Sequence, residues 1–249
     1  RRSRGLGDVY KRQSQNTNGA ADVASDADPV VAYTVTFSEP IAAIQASDID
    51  VAGGTLKSTT LALSADKTTA TFDVEASDNS VADLVVKVKD TVKDLNGNKL
   101  VESSSAAVDV DTRNPGVAIT DDQSGIAFDS ENTVAYTLTF TEGVQKIGTD
   151  DLTVTGATVD SVVHTAGSNT ATVNVTVTDG STANVSITAK KSIVDMAGNP
   201  MVQAVVDNSQ TVDTRNPSTE GAPTVTDDTI TDADANGEGG PSTLSVSFT

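Results

Sequence analysis

The chain repeats itself at an interval of about 100 residues. Val110–Pro115 returns as Val212–Pro217, 102 residues later. Val31–Glu39 matches Val134–Glu142 at an offset of 103, and Asp94–Asn98 matches Asp195–Asn199 at an offset of 101. Offsets that differ by a residue or two place the insertions in loops. A unit of this size can bury its own core, unlike the shorter repeats that must stack to be stable. The sequence therefore predicts a tandem array of small domains.

Apolar residues alternate with Thr, Ser and Asn in these units, which is the period of strands with one buried face. In the second copy the pattern predicts seven strands, at about 116–120, 133–140, 152–155, 158–164, 170–178, 183–190 and 208–213. Seven short strands in about 100 residues favour an all-β fold of tandem immunoglobulin-like seven-strand β-sandwiches. The inward positions predict a core of Tyr33, Phe37, Phe72 and Leu84 in one copy and Tyr136, Phe140, Val173 and Ile187 in the other.

The repeat also predicts the domain organisation. We expect a first unit at 14–111, a complete second unit at 112–214 and the start of a third at 215–249. Residues 1–13 are basic and depart from the pattern, and Asp8–Gln13 resembles the translation of a transposon mosaic-end adapter used in sequencing libraries. We interpret 1–13 as a non-native scar that stands where the first strand of unit one belongs. That sheet edge is therefore expected to be incomplete or poorly covered, and deleting the scar is expected to cost almost no stability.

Composition excludes several classes of function. The 16 Lys and Arg residues against 35 Asp and Glu give a net charge of −19, which disfavours nucleic acid and anionic membranes as partners. Cysteine and tryptophan are absent, and aromatic residues make up 3% of the chain. No apolar run is long enough to span a bilayer. The single histidine, His164, has no nucleophile motif beside it, and we predict that it is an exposed strand residue in a protein that is not an enzyme.

The acidic residues concentrate in loops that a seven-strand sandwich places at its ends. At the boundary of units one and two, this map brings together carboxylates from both units and an asparagine. They are Asp26, Asp28, Asp78, Asp111, Glu142, Asp195 and Asn199. Close carboxylates repel one another unless a cation neutralises them, and Ca²⁺ takes six to eight oxygen ligands of this kind. The sequence therefore predicts an interdomain Ca²⁺ site, with a solvated acidic loop that binds nothing as the alternative.

An equivalent acidic set is predicted at the next boundary. It comprises Asp121, Asp122, Asp129, Asp179 and Asp213. Further on, Asp232–Gly237 matches the first half of an EF-hand loop, but Thr243 stands where the bidentate acid is needed. We interpret that segment as an acidic loop between strands that binds Ca²⁺ weakly at most.

Four motifs together carry a family resemblance. They are Val-x-Tyr-Thr-[Val/Leu]-Thr-Phe-[Ser/Thr]-Glu, Asp-[Ile/Leu]-x-Val near Asp48 and Asp151, Asp-x-x-Gly-Asn, and Val-Asp-Thr-x-Asn-Pro. This combination resembles the bacterial Ig-like repeats of large surface adhesins and related secreted repeat proteins. The resemblance implies a seven-strand sandwich, export in long arrays and, in several branches, calcium between domains.

These observations predict a structural spacer in the stalk of a bacterial cell-surface or secreted adhesin. Its partners would be neighbouring Ig-like repeats of the same chain, and the sequence does not identify the ligand of the distal adhesive domain. Two alternatives stay open at this point. One is a module that binds a glycan or a host protein, and the other is an accessory domain of a secreted hydrolase.

Overall fold

The computed structural model describes residues 9–12, 23–207, 209–221, 224–225 and 244–245, with side chains described in 23–207 and 209–221. Its strands form two sandwiches, which we call the N-terminal sandwich (residues 24–111) and the C-terminal sandwich (residues 117–213). The edge strand β1 (Val9–Arg12) joins the first of these. Beyond them, Thr224–Val225 pairs with Leu244–Ser245.

Ten further strands build the N-terminal sandwich. They are β2 (Ala24–Ser25), β3 (Val30–Thr36), β4 (Ile41–Ala43), β5 (Ile49–Ala52), β6 (Gly54–Leu63), β7 (Thr69–Ala76), β8 (Val85–Val88), β9 (Lys93–Asp94), β10 (Ser103–Ser104) and β11 (Val110–Asp111). One sheet has the order β1-β3-β7-β6 and the facing sheet the order β10-β8-β5. Two short pairs close the ends, β4 with β9 and the parallel pair β11 with β2.

The C-terminal sandwich repeats this arrangement. Its strands are β12 (Val117–Asp121), β13 (Ala127–Phe128), β14 (Thr133–Phe140), β15 (Leu152–Thr155), β16 (Ala157–Val163), β17 (Thr170–Val177), β18 (Ser186–Ala189), β19 (Val205–Asp207) and β20 (Val212–Asp213). The sheets have the orders β12-β14-β17-β16 and β15-β18-β19, and β13 pairs in parallel with β20. Short 3₁₀ turns at Ala46–Asp48 and Thr149–Asp151 occupy matching places in the two sandwiches.

Each sandwich has its own apolar core, because alternate residues of its long strands face the opposite sheet. Tyr33, Val35 and Phe37 are buried on the N-terminal side, and Tyr136, Leu138 and Phe140 on the C-terminal side. All eight predicted core residues are buried, which confirms that part of the prediction. Tyr33 also stacks on Phe72, with ring centroids 5.7 Å apart. The predicted all-β sandwich fold is confirmed as well.

A glycine is required at one turn in each sandwich. Gly53 follows β5 with φ +76°, and Gly156 follows β15 with φ +78°. A Cβ at Gly53 would lie 2.2 Å from the Asp83 carbonyl oxygen, and one at Gly156 would lie 2.7 Å from that of Asn184. Both the positive φ and the close approach of the backbone exclude other residues there.

Two details of strand placement differ from the sequence prediction. The predicted strand at 208–213 is instead two segments, because Val205–Asp207 first pairs with β18 before the chain turns to pair Val212 with Ala127. At the other end, Val9–Arg12 lies along β3 as β12 lies along β14, so residues of the 1–13 segment cover that sheet edge. The stability cost of removing 1–13 stays a prediction. Among the described residues, no helix has the length and apolar character needed to cross a membrane.

Candidate functional site at the junction of the sandwiches

Three carboxylates meet where the two sandwiches join. Asp111 ends β11 of the N-terminal sandwich, Glu142 follows β14, and Asp195 begins the loop Asp195–Asn199 of the C-terminal sandwich. Oxygen atoms of the three side chains all lie within 4.8 Å of one another. Asp195 is buried, and the other two are half-buried. The loop is fixed beside Glu142 by a β-bridge between Val144 and Asp195.

The environment of this cluster disfavours its negative charge. Burial raises the pKa of Glu142, and the neighbouring Asp111 charge raises it further. Burial likewise raises the pKa of Asp111, to which the Asp195 charge also contributes. Two unit charges about 4 Å apart repel by roughly 4 kcal/mol at an effective dielectric constant of about 20. The folded junction therefore favours whatever neutralises these groups.

One cationic side chain already lies beside the cluster. Arg113 Nε is 3.4 Å from Glu142 Oε1, and the arginine side chain is 47% exposed. Its charge lowers the Glu142 pKa, against the larger effect of burial. The contact is an ion pair without hydrogen-bond geometry, and Glu142 Oε1 is buried with no hydrogen-bond partner. Three carboxylates and one guanidinium leave two formal negative charges when all are ionised.

The loop Asp195–Asn199 connects the cluster to the other sandwich through its last residue. Asn199 is fully buried. Its side-chain Oδ1 accepts a 2.7 Å hydrogen bond from the Asp26 main-chain N–H, and its Nδ2 donates to the Asp111 carbonyl oxygen at 2.8 Å. The amide of Asn199 therefore spans the boundary between the two sandwiches.

The peptide that links the sandwiches is held at several points. The Thr112 hydroxyl donates to the Ser77 carbonyl oxygen at 2.7 Å and accepts from the Ser80 N–H at 3.0 Å. Asn114 Nδ2 donates to the Pro200 carbonyl oxygen at 3.0 Å. Thr112 is buried, so its hydrogen bonds are shielded from water. A linker this short and this well bonded restricts the relative movement of its two ends.

The predicted junction residues divide into two groups in the structure. Asp111, Glu142 and Asp195 come together, and Asn199 lies against them. Asp26 and Asp78 are exposed and Asp28 is half-buried, and none of their carboxylates joins the group. Asp26 contributes its main-chain N–H to the junction, while its carboxylate Oδ2 is 3.3 Å from Asn114 Nδ2.

The residues of the second predicted acidic set lie apart from one another on the C-terminal sandwich. Asp121 is half-buried, and Asp122, Asp129, Asp179 and Asp213 are exposed. Within the described part of the chain they form no group of three with mutually close oxygens. Asp213 Oδ1 accepts from the Arg215 N–H at 3.3 Å, just as Asp111 Oδ1 accepts from the Arg113 N–H. The partners expected from the third unit, and the Asp232–Gly237 loop, lie outside the described residues.

The prediction for His164 is wrong, because the side chain is 5% exposed rather than on the surface. His164 Nδ1 accepts a 3.2 Å hydrogen bond from the Ile147 N–H, so Nε2 carries the proton and donates to the Ser168 carbonyl oxygen at 3.1 Å. The ring closes the end of the sandwich instead of facing solvent. Strand alternation did not contain the signal, because unbroken alternation from Val159 would turn Val163 inward and His164 outward. A β-bulge between Val159 and Ser161 reverses the faces, so that Val163 is 62% exposed and His164 is buried.

Sequence reasoning also missed the roles of Arg113 and Asn114. Both belong to the repeated Val-Asp-Thr-Arg-Asn-Pro string, which recurs at Arg215 and Asn216. Their recurrence was a signal that the linker itself takes part in the junction. The charge pattern alone could not have predicted this role, because a single arginine among many acidic residues does not stand out in it.

The residues of the cluster fit a hard divalent cation. Three oxygens within 4.8 Å of one another can all lie within about 2.8 Å of a single ion, close to the range of roughly 2.3–2.6 Å for Ca²⁺–oxygen contacts. The buried Glu142 Oε1 has no hydrogen-bond partner to compete for it. Asn199 Oδ1 accepts the hydrogen bond from the Asp26 N–H, and its role as a metal ligand stays a prediction.

Comparison with known proteins agrees with the fold. Residues 111–214 match the family described as bacterial Ig-like domain, which is consistent with the resemblance of the sequence motifs. It contains the whole C-terminal sandwich together with Asp111 at the junction. No curated protein matches the sequence at a significant level.

Among solved structures, the chain is similar to a protein of Bacteroides ovatus. This is SGBP-B of the mixed-linkage glucan utilization locus, in complex with a mixed-linkage heptasaccharide. The identity is 16% and the TM-score 0.21, and the match covers 95% of this chain and 61% of that one. The chain thus spans about three-fifths of the length of that protein.

Proposed function

We propose that these sandwiches are structural spacer units of a large bacterial cell-surface or secreted adhesin, and that Ca²⁺ bound between them stiffens the array. The observation that carries the proposal is the meeting of Asp111 with Glu142 and Asp195 across the junction. Because the three carboxylates come from both sandwiches, an ion bound to them opposes any movement that separates the units.

The charge balance supports a divalent ion in particular. The cluster carries two net negative charges once Arg113 is counted, and the whole chain carries −19. A monovalent ion would leave half of the local charge uncompensated, and Mg²⁺ demands near-octahedral geometry and retains its waters. Ca²⁺ accepts irregular carboxylate sets with main-chain and water oxygens in the remaining positions.

A spacer also needs an acidic, non-adhesive surface and a short joint. The linker supplies the joint through the bonds of Thr112 and Asn114. In this reading the module is not catalytic, and His164 serves the fold through its two main-chain partners.

The principal rival is a module that binds a glycan or a host protein. A groove beside the junction, of about 470 Å³, is lined by apolar and uncharged polar residues of Asn114–Val117 and Met201–Val205. None of its lining residues is aromatic, so it offers no ring for stacking on a sugar. Binding of the full chain on a glycan array would favour the rival over the spacer.

The spacer proposal is tested by titrating CaCl₂ into chelator-stripped full-length chain in a calorimeter, and by comparing small-angle scattering in millimolar Ca²⁺ and in EDTA. We expect heat of binding with a dissociation constant of roughly 10⁻⁴–10⁻³ M, and a narrower range of interdomain orientations in Ca²⁺. Identical profiles and no heat would reject the calcium joint.

Glu142→Gln is the cleanest variant for this test, because it removes one charge whose oxygen makes no hydrogen bond. It is expected to weaken Ca²⁺ binding at least about tenfold. Asp78→Asn is the matched control, since it removes the same charge from an exposed acid outside the cluster. Equal loss of binding in both variants would mean that only overall charge matters.

A further inference from the structure

The side-chain amide of Asn199 has an orientation that two independent partners determine. Asp195 Oδ2 can only accept, so the 2.7 Å contact with it must come from Asn199 Nδ2. The Asp26 main-chain N–H can only donate, so the 2.7 Å contact with it must end on Asn199 Oδ1. Both requirements agree. The amide therefore presents its acceptor to one sandwich while its donor is anchored in the other.

The hydrogen bonds that Asn199 makes across the boundary are all with main-chain atoms. Asn199 Nδ2 reaches the carbonyl oxygens of Asp111 at 2.8 Å and Arg113 at 3.4 Å, and Oδ1 reaches the N–H of Asp26. Asp26 directly follows β2 and Asp111 ends β11, and these two strands pair in parallel. One amide thus satisfies a donor and an acceptor at the ends of two paired strands of the preceding sandwich.

The N-terminal sandwich contains the same loop, and among the described residues no second sandwich covers it. Asn98 N donates to Asp94 Oδ1 at 2.8 Å and Asn98 Nδ2 to Asp94 Oδ2 at 2.6 Å. The corresponding bonds from Asn199 to Asp195 are 2.8 Å and 2.7 Å. Asn98 is exposed whereas Asn199 is fully buried. The loop geometry therefore exists before docking, and docking adds only the cross-boundary bonds, which limits their entropic cost.

We propose that Asn199 is a cation-independent lock that fixes the C-terminal sandwich on the strand ends of the N-terminal one. Asparagine is specified by this geometry, because aspartate lacks the donor, alanine lacks both groups, and glutamine is longer by a methylene. The inference deepens the proposed spacer function by assigning part of the stiffness to hydrogen bonds alone. Ca²⁺ then adds to a joint that is already closed.

The direct measurement is hydrogen exchange of the Asp26 main-chain amide in the full chain, followed by NMR in EDTA and in millimolar CaCl₂. In the wild type we expect the amide to be protected in both solutions. Asn199→Ala is expected to accelerate its exchange by about tenfold or more in both, since it removes the acceptor that the described part of the chain gives this amide. Asn98→Ala is the matched control and is expected to leave Asp26 unchanged.

Three results would overturn the lock. They are fast exchange of Asp26 in wild-type protein in EDTA, unchanged exchange in Asn199→Ala, and an equal effect of Asn98→Ala. The core amides of Val173 and Ile187 should stay protected in Asn199→Ala, which would show that the sandwich is still folded. If that variant fails to fold, the comparison of Asp26 exchange in wild-type protein between EDTA and CaCl₂ still tests the lock. A calorimetric titration without heat would reject the calcium site while leaving a protected Asp26 amide as support for the lock.

Discussion

The two sandwiches bury the same kind of apolar core and share some buried polar groups, such as Asp94 and Asp195, but they differ in others. Leu63 occupies the position of His164, because Ala62 pairs with Thr71 as Val163 pairs with Thr172. The N-terminal sandwich leaves Asn98 exposed where the C-terminal one buries Asn199. The apolar core thus follows from the repeated strand pattern. The buried polar groups depend on each unit's own loops and on whether another unit covers them.

The largest effect is expected from the core, and it tests whether the sandwiches unfold separately. Ile187→Ala should lower the free energy of unfolding of the C-terminal sandwich by about 3 kcal/mol through lost burial and the cavity left behind. Val86 holds the corresponding place on β8, and Val86→Ala should act on the N-terminal sandwich. Calorimetry should resolve two transitions, each shifted by one variant. A common shift of both would mean that the junction makes them one cooperative unit.

The next effect concerns the exchange of His164 for leucine, which the N-terminal sandwich accommodates at the same position. His164→Leu leaves the Ile147 N–H without its partner, while the Ser168 carbonyl oxygen keeps its hydrogen bond from the Val144 N–H. We therefore expect a loss of about 2 kcal/mol, mostly from the unpaired N–H. Chemical denaturation monitors it, with Val163→Leu as an exposed neighbouring control. An unchanged free energy of unfolding in His164→Leu would show that the loop re-forms its hydrogen bonds around an apolar side chain.

How far the fold could be predicted is clearest from particular residues. Alternation in Val134–Phe140 placed Tyr136 and Phe140 in the core, because a strand with one buried face has a period of two. The sandwich topology then brought Asp111 near Glu142 and Asp195. Asp26 shows the limit. Sequence pattern identified an acid there, but the structure uses its main-chain N–H, which every residue except proline carries, so side-chain chemistry could not reveal it.

A smaller effect is expected from pH, and it should differ in sign between the carboxylates of the junction and the exposed Asp94–Asn98 loop. Because the folded-state pKa values of Glu142 and Asp111 are raised above their ordinary 4.5 and 3.8, the folded protein binds protons more readily than the unfolded chain. In EDTA, stability contributed by this pair should therefore rise as pH falls through the raised pKa values, and level off below the ordinary ones. The difference between wild type and Glu142→Gln isolates it.

The stability contributed by the exposed Asp94–Asn98 loop should change with pH in the opposite direction. The side-chain hydrogen bond from Asn98 lowers the pKa of Asp94, so its contribution is present above the ordinary value of 3.8 and is lost as pH falls below it. Thermal melts of Glu142→Gln and Asp94→Asn between pH 3 and 7 should give slopes of opposite sign relative to wild type. Slopes of the same sign would contradict the contrast between the carboxylates at the junction and the exposed Asp94–Asn98 loop.

The smallest effect is expected at a surface pair that only the N-terminal sandwich has. Lys57 Nζ lies 2.8 Å from Glu75 Oε2, with both side chains more than a third exposed. Lys57→Met should change the free energy of unfolding by less than about 0.5 kcal/mol, and less still in high salt. Denaturation at two salt concentrations measures it. A loss above 1 kcal/mol would show that surface charge distinguishes the sandwiches more than their buried groups do.

The lock formed by Asn199 recognises a neighbour only through peptide groups. Apart from Asp111, which belongs to the carboxylate cluster, side chains on the receiving strand ends are therefore free to diverge without weakening this lock, provided that the backbone of β2 and β11 keeps its path. Units that carry the Asp-x-x-Gly-Asn loop could then be shuffled, duplicated or deleted within an array, and each new pair would form the lock without compensating substitutions.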